Sequence, residues 1–238
     1  RELLLADVIS DITLFRQNSI YNRTIDYDLD QYNPLFGLSE PYGKATPNRQ
    51  GLDLRTVFED SLQKIQLFGG VSYLTDLSGE GTDQRKTFLQ GKIGTSLAIH
   101  NFFNWEKKFL LQLGYKTEQV RRTHPDELFV NDVNVNSNLI DLGLKIEVFK
   151  DINLLMAYKR LAVTGIDYLS VRDSDFSISS FELFDVNSKQ EIISAGMMYR
   201  FNKKTSFMLN YQLVNFTDLM NNSSFDFNQF FALIQLKF

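Results

Sequence analysis

From residue 51 onward, apolar and polar residues alternate with a period of two, the signature of strands whose two faces meet different surroundings. In 64–74, Ile65, Leu67, Gly69, Val71 and Tyr73 alternate with Lys64, Gln66, Phe68, Gly70 and Ser72. In 86–100, Leu89, Gly91, Ile93, Thr95, Leu97 and Ile99 alternate with Gln90, Lys92, Gly94, Ser96 and Ala98. The same period runs through 107–118, 138–149, 152–164, 190–201 and 205–216. Nine strands are predicted from 51 to the C-terminus, the first at 51–59. The best candidate for a preceding strand is 19–29, with Tyr21, Ile25, Tyr27 and Leu29 on one face, which makes about ten. The first segment differs. Leu4, Leu5, Val8, Ile9, Ile12 and Phe15 recur at helical spacing, predicting an amphipathic helix over 2–16. The alternatives are a further strand or a piece of a longer chain trimmed upstream.

The predicted connections alternate in length. Short ones fall near 60–63, 101–106, 150–151 and 202–204; long ones near 30–50, 76–84, 121–136, 165–188 and 217–225. All four prolines (Pro34, Pro41, Pro47 and Pro125) lie in the long set, as expected if strand interiors exclude proline. The strands run to roughly 9–15 residues, longer than the 5–6 typical of globular sheets and long enough to cross a bilayer at a tilt. No apolar run approaches the ~20 residues of a spanning helix. The expected fold is therefore all-β: a transmembrane antiparallel up-and-down barrel at 18–238, preceded by a helical or plug segment at 1–17.

The chain closes on FFALIQLKF, with Phe230, Ala232, Ile234, Leu236 and Phe238 on one face. A soluble chain seldom ends on a buried aromatic. This ending resembles the assembly signal of bacterial outer-membrane β-barrel proteins. The resemblance implies residence in the outer membrane of a Gram-negative bacterium, among its lipids, after handling by the barrel-assembly machinery. Aromatic placement fits it. Tyr73, Tyr115, Tyr158 and Tyr211 sit at similar heights on ascending strands, as in an outer girdle, and Phe102, Phe103, Trp105, Tyr199 and Phe201 gather near the short turns.

Composition narrows the chemistry. There is no Cys, so no disulfide, zinc–thiolate site or thiol nucleophile, and the only histidines are His100 and His124. A net charge of −4 argues against nucleic-acid binding. The chain starts at Arg1, not Met, which reads as a mature or trimmed product. Arg55, Lys92, Lys116, Glu118, Asp141, Lys145, Glu147 and Lys159 fall on the inward face with Phe68, Phe88, Leu110, Leu155 and Phe231. Mixed signs among bulky groups predict a packed lumen network, whereas a selective pore would carry a ring of one sign. His124 beside Asp126 is the one His–carboxylate pair available to a surface hydrolase, and a solvated loop explains it equally well. The acidic loops match no ordered calcium loop, so no metal or cofactor is expected. Segment 165–188 carries Phe181, Leu183 and Phe184 between acids, a candidate partner loop. The expected function is non-enzymatic: a structural or accessory subunit of a larger envelope complex. A narrow porin-like channel is the alternative and a surface hydrolase the third reading.

Overall fold

The computed structural model describes residues 49–62, 64–77, 85–123, 133–172, 178–202, 205–220 and 222–236. The predicted helix at 2–16, the strand at 19–29, and His124, Asp126 and Phe238 lie outside them. The described residues form one antiparallel sheet of nine strands in sequence order. They are β1 Arg49–Glu59, β2 Ile65–Asp76, β3 Arg85–Ala98, β4 Phe109–Thr123, β5 Val133–Phe149, β6 Ile152–Arg172, β7 Ile178–Arg200, β8 Thr205–Asp218 and β9 Ser223–Leu236. Each strand pairs with the next in chain order, the expected up-and-down meander. Among the described residues, no helix is long and apolar enough to cross a membrane.

Local chemistry sets the turns. Asn104, Asp151 and Asn222 take positive φ values of 54°, 66° and 46°, which short polar side chains tolerate. At 150–151 the Arg200 N–H donates to the Asp151 carbonyl at 2.8 Å, tying that turn to β7. The connection from β3 to β4 contains a single helical turn, α1 (Ile99–Phe103), where the sequence suggested a plain turn. The Phe109 N–H donates to His100 Nδ1 at 3.3 Å, so this histidine fastens α1 to the start of β4.

The largest departure from expectation is in segment 165–188, where 165–172 and 178–188 are strand. β6 continues to Arg172 and β7 begins at Ile178, with Tyr168 opposite Leu183 and Asp167 opposite Phe184. Backbone pairing persists there although Ser, Asp and Asn blur the alternation. β4 likewise runs to Thr123 and β5 starts at Val133, and the connection from β8 to β9 shrinks to 219–222. Length therefore separates the two ends of the sheet less sharply than the sequence suggested.

Gly165 stands where β6 outruns its neighbour. Its φ is 143°, and an added Cβ would lie 2.0 Å from the Asn134 carbonyl oxygen. Replacing Gly165 with alanine should cost roughly 1–3 kcal/mol, the usual toll of a strained backbone residue. The check is the urea midpoint together with tryptic cleavage after Arg172, which should accelerate. An unchanged midpoint and cleavage rate would refute the constraint.

Candidate functional site

Alternation gives the sheet two contrasting faces, and their polarity is reversed from that of a soluble protein. On one face, called here the shielded face, the buried residues include Ser72, Gln90, Lys92, Lys116, Glu118, Ser137, Asn153, Lys159, Ser194, Asn210 and Gln212. The opposite, open face exposes Leu67, Val71, Leu89, Ile93, Leu142, Met156, Ile193, Met197 and Leu213. Charge is hidden and hydrocarbon is bare.

The centre of the shielded face is a cluster around Glu118, whose side chain is 4% exposed, as is that of Lys116. Lys116 Nζ lies 2.9 Å from Glu118 Oε1, two residues along the same strand and therefore on the same face. Register sets Gln90 and Ser137 opposite Glu118 from the two flanking strands. Gln90 Nε2 donates to Glu118 Oε1, and Ser137 Oγ makes a longer contact of 3.5 Å to Oε2. Lys92 stands opposite Lys116 on β3 and opposite Gly70 on β2. Gly70 leaves room for the lysine stem, since a Cβ there would be 3.1 Å from Lys92 Cε. One carboxylate thus draws together a cation and two neutral donors, the satisfaction a buried charge needs.

The other predicted network members make further local pairs. Lys159 Nζ meets Asp141 Oδ2 at 3.3 Å as a second pair. Arg55 binds Asp53 at 2.6 Å on edge strand β1, where both side chains remain partly exposed. Near the short turns, Glu147 Oε2 accepts the Lys108 N–H at 3.2 Å, and Lys145 sits two residues away on the same face. Arg55 shares a row with Lys92 and Lys116 across Gly70, and Asp53 shares the neighbouring row with Gln90 and Glu118, so the β1 pair borders the Glu118 cluster. Sequence reading overlooked Gln90 and Ser137 as partners of Glu118. The signal was present, because the parity that turned Lys92 inward also turned Gln90.

Toward the ends that carry 124–132, 173–177 and 219–222, the shielded face becomes apolar. Val135, Leu139, Leu161, Val163, Ile192 and Val214 pack into one cluster, joined by Val186, Phe216 and Phe227. Phe68, Phe88 and Leu155 are also buried on this face, as their positions predicted.

On the open face the apolar belt gives way to a row of polar contacts, with Ile166 and Leu183 exposed beyond it. Tyr115 Oη donates to Asn138 Oδ1 and Tyr158 Oη to Glu191 Oε1, both at 2.7 Å. Above them Gln119 reaches Asn134 and Asn136, and Lys189 pairs with Glu191 at 2.9 Å. Tyrosines with an apolar body below and a polar tip above mark a boundary between two environments. At the opposite border Phe103 stacks on Trp105 at 5.2 Å and Tyr199 meets Phe201 edge-on at 4.7 Å.

Two further predicted sets can be placed. Phe230, Ala232 and Ile234 are all exposed on the open face of β9, Phe230 by 66%. Phe181, Leu183 and Phe184 belong to β7 and do not form one contiguous patch. Leu183 and Phe184 are adjacent in a strand, so they point to opposite faces; Leu183 is exposed and Phe184 half-buried. Among the described residues, no group of three His, Asp or Glu side chains is placed to hold a metal ion. Comparisons with protein-family models, curated proteins and solved structures find no match for this chain.

Proposed function

We propose that the chain is an integral outer-membrane β-barrel of a Gram-negative bacterium, acting without catalysis as a structural or accessory subunit of a larger envelope complex. The observation that carries this reading is the reversal of the two faces. In water, the open face would be an apolar surface far beyond the few hundred Å² a soluble monomer tolerates. In a bilayer, the same belt meets hydrocarbon, its aromatic borders meet headgroups, and the charged face lines the interior.

Strand parity supports closure into a barrel of about ten strands. With nine strands in a meander, β1 and β9 run in the same direction and cannot pair antiparallel with each other. One more strand, running opposite to both, would complete an antiparallel ring. The chain immediately before β1 is the natural source, and 19–29 carries the alternation for it. β1 is exposed on both faces from 50 to 59, as expected of an edge awaiting a neighbour. The helix expected at 2–16 would then lie in the lumen or at the periplasmic end.

The shielded face favours a structural role over a channel. Lys116 and Lys159 are compensated locally by Glu118 and Asp141, and the cluster around Val163 and Val214 would leave a dry stretch across any water path. Reconstitution into planar bilayers tests this. The expected result is a folded, protease-resistant protein without steady conductance. Reproducible single-channel steps would replace this reading with the porin-like one, and failure to enter lipid at all would remove both.

A further inference from the structure

β6 and β7 continue well past the rest of the sheet. The last residue of β6 paired with β5 is Ile166, and the β7 ladder to β8 begins at Ser188. Leu219 N–H donates to the Asn187 carbonyl at 2.8 Å, and the chain then turns away into β9. Beyond that point, 167–172 and 178–186 pair only with each other among the described residues. At about 3.3 Å per residue, this two-stranded arm reaches on the order of 20 Å past its neighbours.

Such an arm poses a physical problem. A lone hairpin is at best marginally stable in water, and each of its edges offers unpaired backbone groups to any passing strand. Its composition is equally pointed. Within 167–187 stand Asp167, Asp173, Asp175, Glu182 and Asp185 against Arg172 alone. Leu169 and Val171 stand at the same strand parity as Asp167, Val186 at that of Glu182, and Leu183 at that of Asp185.

We propose that the β6–β7 arm is a docking edge for a partner protein, which adds an extended segment with basic side chains alongside 178–186. Main-chain hydrogen bonds to the bare β7 edge supply the ladder, and the carboxylates select lysine or arginine on the incoming strand. The inference rests on the accessory-subunit reading and names the chemistry of the partner.

The test uses the full chain in detergent micelles and a fluorescent ten-residue peptide with lysines on both strand faces among valine and threonine. Controls are the glutamate counterpart of that peptide and an equally charged version interrupted by proline, which cannot complete a ladder. In one variant 168–183 is replaced by Asn-Gly, closing the hairpin after the Asp167–Phe184 pair. Its urea midpoint and bilayer insertion report on the barrel independently of docking. The expected result is binding of the lysine peptide that slows amide exchange over 178–186. Shortening the arm should abolish it, and Glu182→Gln with Asp185→Asn should weaken it about tenfold. Equal binding to the shortened variant, or equal binding of the proline peptide, would overturn the proposal. So would exchange already slow in the free protein, which would mean the chain's own residues occupy the edge. Self-association that appears on neutralising Glu182 and Asp185 would also overturn it, since the acids would then be guarding the edge instead of recruiting to it.

Discussion

Replacing Glu118 with leucine should destabilise the fold by about 3–5 kcal/mol, the usual cost of leaving one member of a buried ion pair behind. The substitution strands Lys116 beside Lys92, which stands directly opposite it, and removes the acceptor used by Gln90 and Ser137. Lys116→Met should cost less, because Gln90 and Ser137 still donate to the carboxylate. The double variant Lys116→Met with Glu118→Leu should recover most of the loss, since removing both charges relieves the imbalance that either single change creates. Urea titration in lipid vesicles measures all three. Near-equal midpoints for Glu118→Leu and the unaltered protein would mean that water solvates this cluster, and the compensated interior would lose its support. The ordering of the three variants is as informative as the size of the largest shift.

The sequence was legible where the two faces of a strand meet different surroundings, and illegible where they do not. Ile93 and Lys92 differ because one meets the open face and the other the shielded one, so the period of two survives and places both. Above the tyrosine border, Asn134, Asn136 and Gln119 occupy the open face and the contrast fades. Strand pairing does not need that contrast, since its hydrogen bonds are made by backbone that every residue shares. The ends of β4 and β5 and nearly all of the β6–β7 arm were therefore read as loops. The hydropathy pattern traced the belt, while the ladder traced the strands. The same distinction explains why Phe181, Leu183 and Phe184 looked like one patch: proximity in sequence is proximity in space only until a strand alternates them. The local pairs Lys116–Glu118 and Asp141–Lys159 followed from parity once register was known, but register itself depends on where each turn sits, and the alternation alone did not reveal the helical turn α1 between β3 and β4.

An arginine at Ile93 should be among the most damaging single changes on the open face. Ile93 is 65% exposed and sits within the apolar belt on β3. If water bathed that face, the substitution would be nearly silent, because exposed surface changes usually stay within about 0.5 kcal/mol. Against hydrocarbon the guanidinium must be desolvated or must thin the bilayer locally, at a cost of roughly 2–4 kcal/mol near the midplane. Asn215 supplies the internal control. It lies on the same face of β8, beyond Leu213 and level with the polar contacts above the tyrosines, so Asn215→Arg should cost about 0–1 kcal/mol. Unfolding midpoints in vesicles should therefore separate the two variants clearly, and in detergent the gap should narrow as the micelle deforms around the charge. Equal midpoints in vesicles would place both positions in water and take away the membrane reading of the belt. A large loss at Ile93 beside a small one at Asn215 that narrows in detergent would point to lipid and not to a covering protein, because a packed protein surface does not deform around an arginine as a micelle does.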